Sequence, residues 1–203
     1  MNFDEEAKNW DTDKKVKRAK VVAQEIINSI EIDKNYSAME FGCGTGLVSF
    51  NIYDKFKKIT LIDSSKGMID VLNSKIKEHK IHNMIGKHLD LCNGDSMDES
   101  FDVIYNSMAL HHIEDIKGIV KKFYELLNYD GYLCIVDLNE EDGSFHGDHH
   151  DFHGHNGFKQ EKLKKVLEDA GFRKVESKTF YQDIKVVEGN NVNYSLFLMV
   201  ARK

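Results

Sequence analysis

Proline is missing from this chain, and cysteine occurs only three times, at Cys43, Cys92 and Cys134. Without proline, the turns must be made by Gly, Asn and Asp. Three widely spaced cysteines supply neither a disulfide framework nor a cysteine-based zinc site. No apolar run approaches the roughly 18 residues of a membrane-spanning helix. The start, Met1-Asn2-Phe3-Asp4-Glu5-Glu6, is acidic and has no apolar signal-peptide core, so a cytoplasmic protein is expected. Basic charge is also in short supply: 28 Lys and Arg stand against 34 Asp and Glu, a formal net charge of −6. A nucleic-acid partner requires a basic footprint, and none is expected here. The cluster Lys14-Lys15-Val16-Lys17-Arg18 reads as the solvated face of a helix.

The 203 residues, 41% of them hydrophobic, suit a single domain over 1–203, with an N-terminal lid segment and helix at 1–31. A chain of this length buries roughly 70% of its unfolded surface and needs no metal or disulfide to fold. Helical periodicity predicts helices over Asp13–Ile30, Leu47–Lys55, Lys66–His79, Ile116–Leu127 and Gln160–Ala170. Short apolar runs predict strands at Ala38–Phe41, Ile59–Ile62, Met84–Leu91, Phe101–Tyr105 and Tyr132–Leu138. Two more, Val175–Tyr181 and Tyr194–Ala201, have no helix between them. Alternating strands and helices imply an α/β fold with a parallel sheet covered on both faces. The last two strands imply an antiparallel hairpin on that sheet.

The first strand runs into Gly42-Cys43-Gly44-Thr45-Gly46. Glycines allow a sharp turn and let a ligand lie against bare backbone. The spacing is G-x-G-x-G, with Leu47 where a dinucleotide site has its third glycine, and no G-K-[ST] follows to make a P-loop. Asp63 ends the second strand, where a carboxylate can accept both hydroxyls of a ribose. Ser64 follows it, and Met68, one helical turn on, can pack against an adenine face. Asp90-Leu91 ends the third strand, where an acid can take an adenine amino group, and Asn106 follows the fourth, across the crevice from the glycine turn. All stand at the carboxyl ends of strands, where open parallel sheets bind ligands.

Several stretches together resemble the class I S-adenosylmethionine-dependent methyltransferases. Glu40-Phe41-Gly42-Cys43-Gly44-Thr45-Gly46 is similar to their first motif, and Asp63-Ser64-Ser65-Lys66-Gly67-Met68 to their ribose-binding motif. Phe101 to Ile113 resembles their fourth-strand motif and Leu126 to Leu133 the entry to the fifth strand. The nearest flavour is the small-molecule branch that includes the ubiquinone and menaquinone-biosynthesis methyltransferases, whose opening segment Phe3 to Asp11 resembles. The resemblance implies a Rossmann-like seven-stranded, mostly parallel sheet in order 3-2-1-4-5-7-6, with strand 7 antiparallel. It implies S-adenosylmethionine as cofactor, S-adenosylhomocysteine as product, and a small-molecule acceptor methylated by in-line transfer. The implied cofactor residues are Glu40, Gly42, Cys43, Gly44, Gly46, Asp63, Ser64, Met68, Asp90, Leu91 and Asn106. Trp10 is a candidate lid over the sulfonium, where an aromatic face attracts a cation, or a plain anchor for the N-terminal helix.

His111, next to His112 after the fourth strand, is the candidate general base on the acceptor; its alternative is a packing role. The segment 146–155 holds His146, His149, His150, His153 and His155. Dense imidazoles can bind Zn²⁺, Ni²⁺ or Fe²⁺, but the spacing matches no zinc motif, and the first expectation is a substrate-binding or pH-sensitive lid. Two other functions are weighed: a non-catalytic S-adenosylmethionine-binding or metal-sensing protein, and a nicotinamide-dependent reductase, which Leu47 opposes.

Overall fold

The computed structural model describes residues 2–147 and 152–203. Its elements are α1 (Phe3–Glu6), α2 (Asp13–Ser29), β1 (Ser37–Phe41), β2 (Lys58–Asp63), α3 (Lys66–Glu78), β3 (Met84–His88), β4 (Phe101–Ser107), α4 (Ile116–Leu126), β5 (Leu127–Leu138), α5 (Gln160–Asp169), β6 (Arg173–Val187) and β7 (Asn190–Arg202). The seven strands form one sheet in the order β3-β2-β1-β4-β5-β7-β6. β1 to β5 run parallel, and β7 lies antiparallel between β5 and β6. This is the Rossmann-like α/β sheet expected from the sequence.

The central strands are buried on both faces, which is why they read as unbroken apolar runs rather than alternating ones. Successive side chains still point to opposite sides. Val103, Tyr105, Cys134 and Val136 join a core with Val22, Ala23 and Ile26 of α2 and Ile69 and Leu72 of α3. Ile104, Leu133 and Ile135 join a second core with Ile119, Val120 and Phe123 of α4 and Leu163 and Leu167 of α5. Three helices begin on side-chain caps: Thr12 accepts from Lys15 N–H, Ser65 from Met68 N–H and Asp115 from Gly118 N–H. Among the described residues, no helix is long and apolar enough to cross a membrane.

Three expectations need correction. The helix over Leu47–Lys55 is instead two 3-10 turns, Ser49–Asn51 and Tyr53–Lys55. The run Val48-Ser49-Phe50-Asn51-Ile52-Tyr53 has poor helix formers throughout, and Ile52 sits at φ −135°, outside the helical region. The fifth strand, expected over Tyr132–Leu138, begins at Leu127 and carries an irregularity: pairing with β4 passes from Phe101–Leu127 to Val103–Tyr132, and Asp130 adopts a left-handed φ of 64°. The final hairpin is longer than predicted. Its register continues to Val187–Asn190, around Glu188 and Gly189, both left-handed at φ 48° and 81°. Two left-handed residues make the tight turn that matches strand twist.

Candidate functional site

The sheet order reverses between β1 and β4, and chain crossing points of this kind open a crevice at the strand ends. A cavity of about 670 Å³ lies there, within the size range of small-molecule sites. Its floor is the glycine turn. Gly42 and Gly44 are left-handed, at φ 62° and 52°. A Cβ on Gly42 would stand 2.5 Å from the Cβ of Ala109, so only glycine lets the turn after β1 approach the turn after β4 this closely. Cys43 N–H donates to the Ile62 carbonyl at 3.0 Å, tying the turn to β2.

Asp63 faces the cavity from the end of β2. Its two carboxylate oxygens accept from Gly44 N–H at 2.7 Å and Ser65 N–H at 2.8 Å. Burial pushes its pKa up, and these two donors partly counter the shift. Ser65, not Asp63, caps α3: its hydroxyl accepts from Met68 N–H at 3.1 Å. Glu40 is buried on β1. Its carboxylate accepts from the Ser49 hydroxyl, which in turn meets the Tyr105 hydroxyl at 2.6 Å. Desolvation raises the Glu40 pKa to about 8, so its proton is retained at neutral pH.

The opposite wall comes from the N-terminal segment. Trp10 Nε1 lies 3.4 Å from where a Cβ on Gly44 would stand, and the Lys15 ammonium sits 3.1 Å from the centroid of the indole. Burial lowers the Lys15 pKa to about 8. Arg18 also borders the cavity, and its guanidinium donates to the Tyr194 hydroxyl at 3.4 Å. The cavity therefore has an acidic side, Glu40 and Asp63, and a basic side, Lys15 and Arg18.

Among the residues singled out from the sequence, Trp10, Glu40, Gly42, Cys43, Gly44, Asp63, Ser64, Met68, Asp90 and Leu91 all border this cavity. The Asp90 carboxylate is already engaged by its own turn, accepting from Cys92 N–H, Asn93 N–H and the Asn93 amide. Gly46, Asn106 and His111 do not border it. Gly46 packs backward, where a Cβ would stand 2.6 Å from Leu72 Cδ1. Asn106 is fully buried between Phe41 and Ile135 in the sheet register. His111 is buried with its ring Nδ1 2.5 Å from Asp137 Oδ1, and its neighbour His112 is the one that reaches the cavity.

Of the histidine-rich segment, His149 and His150 lie outside the described residues. His146 is brought beside His111 and His112, with ring centroids 5.1 and 5.6 Å away. His155 is turned elsewhere, its Nε2 2.9 Å from the Ile113 carbonyl, and His153 is not part of the cluster of ring nitrogens formed by the other three. Lys15, His112 and Asp137 were missed as site residues. Lys15 was hidden in a basic run that looked solvated. Asp137 has no motif of its own and gains its role only when β5 is set beside β4.

A family model described as "Methyltransferase domain" matches residues 15–177. The chain belongs to that family. It is 29% identical over 164 residues to an uncharacterized methyltransferase of Schizosaccharomyces pombe, covering 74% of this chain and 58% of the relative. It is 24% identical over 125 residues to the demethylmenaquinone methyltransferase of Listeria welshimeri, covering 58% of this chain and 51% of the relative. The chain thus spans about half the length of these relatives. The phosphoethanolamine N-methyltransferase 2 of Haemonchus contortus, solved with phosphomonomethylethanolamine and S-adenosylhomocysteine, superposes with a TM-score of 0.73 at 13% identity, over 92% of this chain and 52% of that one. At that identity the likeness is one of fold. The methyltransferase fold accounts for the sheet order.

Proposed function

We propose that this methyltransferase binds S-adenosylmethionine in the cavity and methylates a small molecule. The observation that carries the reading is the pairing of a left-handed glycine floor with a buried Asp63 beside it. The residues fit the cofactor's chemistry. Asp63 keeps acceptor capacity for a ribose diol beyond its two backbone donors, and Met68 and Leu91 offer apolar surface to a flat base. The amino-acid end of the cofactor carries a carboxylate that suits the basic side at Lys15 and Arg18, and an ammonium that can donate to the Glu40 carboxyl, which ionises more readily beside a positive charge.

When bound, the cofactor supplies an electrophilic methyl group on a sulfonium. The chain's task is then alignment and exclusion of water. Holding two reactants in line can contribute ~7–11 kcal/mol. Trp10, with a cation already over its ring, offers a face suited to positive charge. His112 borders the cavity on the side left for the acceptor. His111 does not reach it, so His111 acts in this reading as a positioning residue rather than a general base. A cavity of about 670 Å³ favours a small acceptor beside the cofactor.

The test is calorimetric titration of S-adenosylhomocysteine into the wild type, Asp63→Ala and Asp63→Asn. Loss of a charge-assisted hydrogen bond costs roughly 1.5–3 kcal/mol, which is about a 10- to 150-fold weaker affinity. Wild-type affinity in both folded variants rules out Asp63 as the ribose ligand. A methyl-release screen over small metabolites then identifies the acceptor.

A further inference from the structure

The structure brings together three imidazoles that the sequence keeps apart. His111 and His112 follow β4, whereas His146 follows β5. One ring nitrogen from each lies within 4.8 Å of those of the other two. The ring centroids of His111 and His112 are 4.1 Å apart. We propose that His111, His112 and His146 form a binding site for a divalent transition-metal ion of the zinc class, separate from the cofactor cradle and open toward the acceptor side of the cavity.

Four features carry the assignment. Three neutral imidazoles are the donor set that zinc and its borderline neighbours prefer. Nitrogens held 2.0–2.1 Å from a tetrahedral ion sit roughly 3.4 Å apart, so the cluster closes on an ion with shifts of about 1 Å.

The second feature is Asp137. It is fully buried, and it accepts from Leu110 N–H at 2.9 Å and His111 N–H at 3.2 Å while its other oxygen meets His111 Nδ1. That contact leaves Nε2 of His111 as the nitrogen for an ion. A carboxylate behind a ligating histidine is the usual outer support of zinc sites, because it fixes the ring and raises its basicity.

The third feature is the shell. His146 stacks on Phe152 at 3.9 Å with 11° between the rings, Phe145 meets His146 edge-on at 4.9 Å, and Phe3 meets His112 edge-on at 5.4 Å. Apolar rings around three nitrogens hold them in place and limit solvent access. The loop itself is fastened to the turn below: His155 N–H donates to the His111 carbonyl at 2.7 Å, and a Cβ on Gly154 would stand 2.2 Å from that same oxygen. Glycine at 154 is what allows this approach.

The fourth feature is the opening. His112 is only half-buried and borders the cavity, whereas His111 and His146 are buried. Three protein ligands with one position open to a cavity is the arrangement of a reactive zinc site rather than a closed structural one. An acceptor's oxygen, nitrogen or sulfur could occupy that fourth position. The site stands whether or not the cavity binds S-adenosylmethionine.

The experiment uses the full chain, untagged, in a His149→Ala/His150→Ala/His153→Ala background that removes three other loop imidazoles and keeps His155, whose ring is turned to the Ile113 carbonyl. After chelator stripping, Zn²⁺ binding is measured by competition with a chromogenic chelator and Co²⁺ binding by its visible absorption. The background is expected to take up one ion per chain with a tetrahedral or five-coordinate Co²⁺ spectrum. His112→Ala and His146→Ala should each weaken binding by ~100-fold or more and abolish that spectrum. Asp137→Asn should weaken it roughly 10- to 100-fold. Should His146→Ala fail to fold, half-exposed His112→Ala decides. No uptake by the background, or uptake by folded His112→Ala equal to it, overturns the site. Unchanged affinity in Asp137→Asn overturns the carboxylate's part in it.

Discussion

Glu40 shows how one buried side chain sets a pH dependence for the whole fold. In the unfolded chain its carboxyl titrates near 4.5, and in the folded chain near 8. Between these values the folded state binds the extra proton, so stability falls as pH rises from about 4.5 to about 8. Above that range both states are ionised and the full penalty is present. Gln cannot ionise, and its amide oxygen can accept the Ser49 hydroxyl in place of the carboxylate. Glu40→Gln should therefore match the wild type near pH 4 and exceed it at pH 8–9, with a ceiling of roughly 4–5 kcal/mol. Urea unfolding at both pH values measures this. Equal stability at pH 9 means Glu40 is charged and solvated in the native state.

At the same scale, Asp63 and Asp90 looked alike in sequence, each an acid after a strand. The structure separates them by what already holds their oxygens. Asp63 keeps two backbone donors and faces a cavity, whereas Asp90 accepts three hydrogen bonds from its own turn. Position relative to a strand is legible in a sequence; occupancy of a carboxylate's lone pairs is not.

Among the elements, the N-terminal segment is fastened by two acids. Asp4 accepts from the Ser65 hydroxyl at 2.6 Å and Gly67 N–H at 2.7 Å, at the start of α3; these two donors lower its pKa. Asp11 accepts from the Thr45 hydroxyl and pairs with Lys75 at 2.7 Å. Partly exposed ion pairs contribute little to global stability, about 0–1 kcal/mol, but here they decide where Phe3 and Trp10 sit. Asp11→Ala should leave the melting transition within that margin. It should raise amide exchange over residues 2–11, and added S-adenosylhomocysteine should restore protection. Unchanged exchange in Asp11→Ala would leave Asp4 and the packing of Trp10 as the anchors of the segment.

The lid reading of 1–31 came from one tryptophan in a polar stretch, and the acids that clasp it were not legible. Their partners, Thr45, Ser65 and Lys75, are 34 to 64 residues away, and pairwise contacts over such spans follow from topology rather than pattern. Strands β1, β2, β4 and β5 were legible because buried parallel strands concentrate apolar residues; β3, at the sheet edge and mostly not buried, ends at His88 rather than at the expected Leu91. The helix expected over Leu47–Lys55 was not, since β-branched and aromatic residues satisfied the periodicity without supporting the conformation. The three-histidine cluster was half legible: His146 stood out by composition and His111 by motif, but only the sheet order joins them.

For the molecule as a whole, two apolar cores share one sheet, and the cavity lies at the end of the strands that both cores hold. β1, β2 and β4 carry its floor, and each contributes side chains to both cores. Cofactor binding there should stabilise the entire fold rather than a local segment. A ligand at 100 times its dissociation constant adds ~2.7 kcal/mol to the native state. For a chain of about 200 residues, each kcal/mol raises the melting temperature by roughly 2–4 °C. S-adenosylhomocysteine at that excess should therefore raise Tm by about 5–10 °C in a single transition, while NAD at the same concentration should leave it unchanged. The contrast follows from the turn itself: Leu47 replaces the glycine that a pyrophosphate needs, and the Asp63 carboxylate faces the cavity where a phosphate's charge would have to lie. A shift with NAD comparable to that with S-adenosylhomocysteine would mean that the glycine turn, not the flanking acids, selects the ligand, and would return the reductase reading to contention.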